Sequence, residues 1–360
     1  MTILNQTASM TSIPYALDRL GTIMTAAPGD PLEAEGVLNP GTAWGPDGEL
    51  YLYPRVVAAG NVSRIARARV IVENGVPVGV ERLGVVLSPD EQWENGHNNA
   101  GVEDPRITFL EPVGLHVMTY IAYGPLGPRP ALAISRDTVD WQRLGPIHFA
   151  YQPELKSDLN LFANKDIVFF PELVTGPDGS PSIAVLHRPM WDLDWLSPGE
   201  GSRPPAGVDD DRPSIWIGYI DLAAALADPA ALTRVHSSSM LAAPEMEYET
   251  AKIGAGPSPL RVPEGWLVLH HGVSGATPKG FELAYGSRYS AGAILLDADD
   301  PRQVLARTPE PLLAPETAEE LSGTLGNVVF PTAIERIGDR TFVFYGMADS
   351  SIGVAELTRL

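Results

Sequence analysis

Asn39-Pro40-Gly41-Thr42-Ala43-Trp44-Gly45-Pro46-Asp47-Gly48-Glu49-Leu50-Tyr51-Leu52-Tyr53 is the stretch on which the fold turns. Gly-Pro-Asp-Gly is turn chemistry: proline presets one backbone angle, and aspartate and glycine tolerate the rest. The apolar run Glu49 to Tyr53, ending at Arg55, makes the whole a hairpin. The same four turn residues return at Gly176-Pro177-Asp178-Gly179, between Ile167–Phe170 and Ile183–Leu186. Working outward, a unit runs from Asp104-Pro105 through a turn at Glu111 to Gly114 into Leu115 to Tyr123. Another runs from Lys252 through Pro263-Glu264-Gly265 into Trp266 to Leu269, and a last one from Asn327 through Gly338-Asp339 into Thr341 to Phe344. Each hairpin is followed by one more short strand, as at Ser63 to Ile71, Ala131 to Ser135, Ser214 to Ile220, Tyr289 to Leu296 and Ser351 to Leu357. The tripeptide Arg-Leu-Gly also recurs, at Arg19, Arg82 and Arg143, and spacing of this order marks a repeat architecture.

Five units of short antiparallel strands, with no long amphipathic helix between them, suit a radial array better than a sandwich. The expected fold is all-β, a five-bladed β-propeller forming one domain over residues 1–360. Residues 1–30 are an N-terminal extension, with a turn or two of helix in Tyr15 to Thr25, and 190–212 a loop insertion rich in proline, glycine and aspartate. Trp191 and Trp195 in that loop are read either as a cover for a sugar or as simply packed down.

Composition sets outer bounds. Thirty-five glycines and 34 prolines among 360 residues favour turns, and a hydrophobic share of 44% supplies a core. The net charge of −20 repels phosphate backbones and anionic lipid, so neither nucleic acid nor a membrane is an expected partner. With no cysteine, disulfides, thiolate metal sites and a cysteine nucleophile are excluded. Met1 to Met10 lacks the pattern of a secretory leader, and no apolar run has the length of a membrane span, so a cytoplasmic location is expected.

In a propeller the first strands line a central channel, and unit starts and hairpin ends gather at one mouth. Asn39, Arg55, Asp104, Asp166, His187, Lys252, His271 and Asp349 would then share a funnel. Asp104 is the candidate catalytic acid, because Asp-Pro suits an extended strand start where a carboxylate faces open space. A funnel of amides, carboxylates and aromatic faces suits a polyol. Cations among them offer an anion pocket, so phosphate itself could serve as nucleophile. No metal site is expected, since the histidines lack close helical spacing; His97, His116, His148 and His236 read as structural or surface residues.

At these positions the chain resembles glycoside hydrolase family 130, from about Arg19 to Leu357. The resemblance rests on Asn39-Pro40-Gly41, Ser63-Arg64-Ile65, Glu103-Asp104-Pro105-Arg106, Asn164-Lys165-Asp166 with Phe170-Pro171-Glu172, and His187-Arg188-Pro189. It extends through Lys252-Ile253-Gly254-Ala255-Gly256-Pro257, His271-Gly272-Val273, Asn327-Val328-Val329-Phe330-Pro331, and Tyr345-Gly346 with Ala348-Asp349-Ser350. It implies an inverting β-mannoside phosphorylase that yields mannose 1-phosphate, with inorganic phosphate as co-substrate and no further cofactor. It further implies that Asp104 is the general acid, acting through a sugar hydroxyl. Arg64, Lys252 and His271 match phosphate positions, and Asn39, Arg55, Asn164, Lys165, Asp166, His187 and Asp349 match positions around the substrate. The chain departs from the pattern at Ala163, where a further phosphate arginine is expected. An inverting β-mannosidase therefore stays open, with Glu245, Glu247 and Glu249 as possible bases, as does a non-catalytic sugar-binding propeller. Homo-oligomers are a possibility that the sequence leaves open.

Overall fold

The structure, a computed structural model, describes residues 12–96, 100–275 and 286–360. It is all-β, with short helical segments such as Leu222–Ala227 and Ala318–Leu321 between strands. Gly36–Trp44, Leu50–Ala58, Val62–Glu73 and Val76–Leu87 form one antiparallel meander, and Ala100–Leu110, Leu115–Gly124, Gly127–Ser135 and Gln142–Pro146 the next. A short parallel pairing, Val62 with Ala100 and Ser63 with Gly101, joins the two into an eight-stranded sheet. A six-stranded sheet is built on Ala163–Phe169, Pro181–Met190, Ile215–Ile220 and Arg234–Ala242. A five-stranded one is built on Lys252–Ala255, Gly265–Gly275, Ser287–Leu296 and Val304–Arg307. The last sheet, Val329–Ile337, Arg340–Met347 and Ser351–Arg359, takes its fourth strand from the other end of the chain, Tyr15–Thr25.

That fourth strand corrects the helical expectation for Tyr15 to Thr25. Its side chains begin with the period of two, Tyr15 and Leu17 buried and Asp18 exposed, and it pairs antiparallel with Ser351–Arg359. The partner that decides its conformation lies over 300 residues away, beyond any local pattern.

Apolar side chains on alternate positions pack consecutive meanders face to face. Val168, Leu186 and Ile217 of one sheet meet Ile253, Trp266 and Ile294 of the next. Phe342, Phe344 and Ile352 of the last sheet pack back onto Val37, Leu52 and Val56 of the first. The Arg-Leu-Gly recurrence has a packing origin too. Arg19, Arg82 and Arg143 sit on outer strands and grip the buried carboxylates of Glu320, Glu33 and Glu94 at 2.9, 2.8 and 2.9 Å. Each glutamate also accepts from backbone N–H groups of its own turn, as Glu320 does from Glu316 and Thr317 and Glu94 from Glu91. Tyr345 and Tyr120 hydroxyls donate to Glu320 and Glu94. Buried carboxylates so satisfied fix each outer strand to the turn that precedes its sheet.

The expected insertion is irregular apart from a bridge between Asp192 and Ser202. Trp191 is packed down, edge-on to Phe162 and Trp216 in the core, and Trp195 lies against Gly127, where an added Cβ would come within 2.6 Å of its ring.

Candidate active site

The first strands of three successive meanders break register at the same relative place: between Leu38 and Gly41, Glu103 and Arg106, and Lys165 and Val168. Within each break stands a polar residue with positive φ, Asn39 at +42°, Asp104 at +49° and Asp166 at +55°. The Asp-Pro sequence therefore does not give the extended start expected of it. Asp104 lies in a β-bulge inside its strand, where the extra residue must adopt the left-handed region to rejoin the ladder. Asn and Asp tolerate that region best among residues with a Cβ. Such conformations cost about 1–3 kcal/mol each and cluster at functional sites. Here the bulges re-aim three side chains toward one another.

Around Asp104 the contacts are dense. Its Oδ1 accepts from Asn39 Nδ2 at 2.8 Å and from Arg55 Nη1 at 3.2 Å. The other Arg55 nitrogens donate to Glu103 Oε1 at 2.9 Å and Ser63 Oγ at 2.8 Å. Lys165 Nζ reaches Glu103 Oε2 at 3.3 Å, so Glu103 clamps both cations. Burial opposes ionisation of Asp104, but Arg55, Lys165, the Asn39 bond and Arg106 outweigh it and hold the carboxyl below its ordinary value. Asp349, half-buried at the left-handed turn after Arg340–Met347, behaves oppositely. Burial, with Asp104 and Glu103 adding to it against the pull of Arg55 and Lys165, pushes it up to about 6. Two carboxyls in one field are thus driven apart, the pattern by which sites assign proton roles.

A second cluster adjoins the first through Arg106 and Lys165. Buried Asp166 receives Arg106 Nη2 at 3.1 Å and Arg188 Nε, and His271 Nε2 stands 3.5 Å away. Arg106 is held in turn by the carbonyls of Gly256 and Ala255. His271 packs on Phe330 with centroids 4.4 Å apart and faces Tyr289 at 6.1 Å. Lys252 Nζ lies 5.2 Å from the same Tyr289 ring, so Lys252 and His271 flank one aromatic face. Desolvation and the cations Arg188 and Lys165 push Lys252 down to about 7, against Asp166 and Asp349. Burial likewise drives His271 well below its usual value. Buried polar atoms without a hydrogen-bond partner include Asn39 Oδ1, Arg188 Nη1 and both ring nitrogens of His271. Unsatisfied groups gathered in one place are what a polar ligand would complete.

Asn39, Arg55, Asp104, Lys165, Asp166, Lys252, His271 and Asp349 are therefore brought together, and others are not. His187 is fully buried, its ring 4.6 Å from Phe149 and near Trp216, and burial pushes it down to about 3. Asn164 spends its amide on His187 Nδ1 and the Arg188 N–H. Both position Arg188 rather than face a ligand. Arg64 follows Ser63 on its strand; it makes no ion pair among the described residues, and its Nη1 is buried without a hydrogen-bond partner. Glu249 is fully buried on His270 Nε2 at 2.7 Å and caps its own turn, while Glu245 and Glu247 are exposed. Strand alternation puts His270 and His271 on opposite faces, so this segment contributes no carboxylate beside Lys252. His116 packs at a tilt against Phe109, His148 is exposed and His236 bonds Ser237, while His97 lies outside the described residues.

Sequence reasoning did not single out Glu103, Arg106, Arg188, Tyr289 and Phe330 as site residues. No arginine is near Ala163 in sequence, but strand register sets Arg188 opposite Lys165. A cross-strand neighbour becomes visible only once the hairpin register is known.

Comparisons place this geometry among known proteins. The family model described as beta-1,4-mannooligosaccharide phosphorylase matches residues 227–359. A 1,2-beta-oligomannan phosphorylase of Thermoanaerobacter sp. (strain X514) is 30% identical over 292 residues, covering 77% of this chain and 79% of that protein. A beta-1,2-mannobiose phosphorylase of Listeria innocua is 30% identical over 263 residues, covering 73% of this chain and 59% of that protein. The solved structure of a beta-1,2-mannobiose phosphorylase from Listeria innocua superposes with a TM-score of 0.68 at 23% identity, covering 96% of both chains.

Proposed function

Since the chain belongs to glycoside hydrolase family 130, we propose that it is an inverting β-mannoside phosphorylase, releasing mannose 1-phosphate and a sugar shortened by one residue. The observation that carries the choice of nucleophile is the second cluster. Lys252, Arg188 and His271 converge beside Tyr289, and among the described residues their one ion-pair carboxylate is Asp166, already committed to Arg106 and Arg188. A water-activating mechanism needs a free carboxylate about 6.5–9.5 Å from the acid, and Glu245, Glu247 and Glu249 lie elsewhere.

In this reading Asn39, Arg55, Lys165 and Asp349 hold the sugar, and phosphate lies against Lys252, Arg188 and His271. A phosphate oxygen bonds to the anomeric carbon as the bond to the leaving sugar oxygen breaks. The leaving oxygen takes a proton that Asp104 supplies through a hydroxyl of the bound mannose. Phosphate brings its own negative charge, so no protein base is needed. Asp104 is ionised in the empty site, so its proton has to be regained when the sugar displaces water and strengthens the desolvation that already opposes the charge. Once phosphate is bound, the cations beside the attacking oxyanion supply orientation and charge stabilisation.

The sheet order supports a five-bladed propeller around this site. The eight-stranded sheet divides at its short parallel junction into two meanders, the remaining sheets supply three more, and the last packs on the first. The bulged first strands then line the channel. We take inorganic phosphate as co-substrate without a further cofactor, and a cytoplasmic protein that engages neither nucleic acid nor membrane. The test is product identity: with β-1,2-mannobiose, mannose 1-phosphate should form in proportion to added phosphate. Mannose released at an undiminished rate in phosphate-free buffer would establish the hydrolase instead.

A further inference from the structure

The strands that carry Asn39 and Asp104 also end somewhere, and their far ends enclose a second cavity. Trp44 lies five residues beyond Asn39, and Phe109 five beyond Asp104, a separation of about 16 Å along extended chain. Together with Pro171, Ser258 and Glu335, these residues line a cavity of about 550 Å³, within the range of small-molecule sites. Two features set it apart from a simple gap at the end of a channel. Trp44 and Phe109 are large aromatic residues left 37% and 49% exposed in an otherwise well-packed protein, and both line it. The third feature-bearing residue, Glu335, has no counter-cation. It is half-buried, its Oε1 accepts from Thr42 Oγ1 at 2.9 Å and Trp44 supplies a further hydrogen bond, but among the described residues no basic side chain forms an ion pair with it. The fully buried glutamates Glu94 and Glu320, by contrast, are paired with Arg143 and Arg19.

We propose that this cavity binds a small organic cation, a primary or quaternary ammonium, whose charge pairs with Glu335 and whose methyl or methylene groups rest on the faces of Trp44 and Phe109. A carboxylate partly withdrawn from water and held only by neutral donors gains from a cation beside it, and aromatic faces attract ammonium groups through the ring quadrupole. The same cavity is lined by Glu111, His116 and Arg136. Burial pushes His116 below its usual value, against Asp137, which keeps it neutral. Glu111 and Glu335 then outweigh Arg136, so the cavity's own field favours a cation. Burial also pushes the Glu335 carboxyl up to about 7, with Thr42 and Trp44 opposing, so cation binding requires loss of its proton.

Isothermal titration of the full chain with choline tests this. Saturable binding is expected at about pH 8 and about tenfold weaker binding at about pH 6, since the carboxylate fraction changes by that factor around a pKa near 7. Glu335→Gln should abolish the heat while leaving mannoside turnover unchanged, because Glu335 lies at the other end of the strands. Trp44→Leu, which keeps the cavity apolar but removes the ring, should weaken choline at least about fivefold, and it carries the same test should Glu335→Gln fold poorly. No choline binding at about pH 8, or binding indifferent to both substitutions, overturns the proposal. So does β-1,2-mannobiose occupying this cavity in place of choline, shown by heat lost in Trp44→Leu; that result would assign a neutral glycan. None of these outcomes depends on the phosphorylase reading.

Discussion

Lys252 offers the sharpest quantitative test of the phosphate site. Its ammonium sits near Tyr289 with no carboxylate in ion-pair contact among the described residues, and desolvation with Arg188 pushes it down to about 7. At about pH 8.5 it is then protonated in only about 3% of empty sites. A phosphate dianion beside it supplies the missing opposite charge and should return its pKa toward the ordinary value near 10, so binding takes up close to one proton. The sign follows from linkage: a ligand that favours the protonated form binds more weakly as pH rises above the free-site pKa. Phosphate affinity should therefore fall about tenfold per pH unit above about 7.5, a slope that Lys252→Met removes while weakening binding at low pH. Isothermal titration in buffers of differing ionisation enthalpy measures the uptake directly. At about pH 8.5 free phosphate is already a dianion, so its own titration does not obscure the count. Phosphate binding without proton uptake, or with the same uptake in Lys252→Met, would refute the placement of phosphate against this lysine.

Asp104→Asn should lower mannoside turnover by about 10² to 10⁴ with an unchanged melting temperature, read by release of mannose 1-phosphate. Asp349→Asn should mainly raise the mannoside KM, and it should erase any limb of the kcat/KM profile near pH 6, where Asp349 itself titrates. Glu103→Gln frees Arg55 and Lys165 to bear more strongly on Asp104, so its carboxyl is held still lower. The alkaline limb of the rate profile should then move to lower pH, a displacement that a merely structural loss would not produce. Glu94→Ala should destabilise the fold by about 3–5 kcal/mol, because Arg143 and Tyr120 lose their buried partner. A denaturant midpoint reports it, with the mannoside KM unchanged; a loss under about 1 kcal/mol would show that the Arg–Glu contacts are ornamental to stability.

What the sequence makes legible follows from the range of the interactions. Gly45-Pro46-Asp47-Gly48 and its repeat announce their hairpins because turn geometry is local, and both turns fall between paired strands. Asp104, Lys252 and His271 are recognisable because chemically unusual residues stand where the repeat places unit starts and hairpin ends. The rest depends on register. Tyr15–Thr25 is a strand only because Ser351–Arg359 waits for it. Arg188 enters the site because it lies opposite Lys165, whereas His187 beside it is turned into the core by the alternation of the same strand. The positive φ of Asn39, Asp104 and Asp166 is likewise set by bulges, whereas the proline that follows Asn39 and Asp104 would by itself favour extended backbone there.

On the phosphorylase reading, the arrangement around Asp166 is what would let a chain of net charge −20 hold a phosphate. Long-range repulsion from the surface is screened within about 8–10 Å at ordinary salt, so the decision belongs to the local cluster. Two buried guanidiniums without an anion would be strongly destabilising, and Asp166 removes that penalty for Arg106 and Arg188 together. It thereby uses up one of their two charges and leaves Arg188 Nη1 without a partner. Among the described residues Lys252 has no such anion, and it meets the lack by giving up its proton near neutral pH rather than by pairing. The empty cluster thus carries little excess charge, and the cation that balances a phosphate is regained only as the phosphate arrives. Were Asp166 replaced by a neutral residue, the guanidiniums would repel the proton on Lys252 further, and the site would lose both its order and its capacity to recharge.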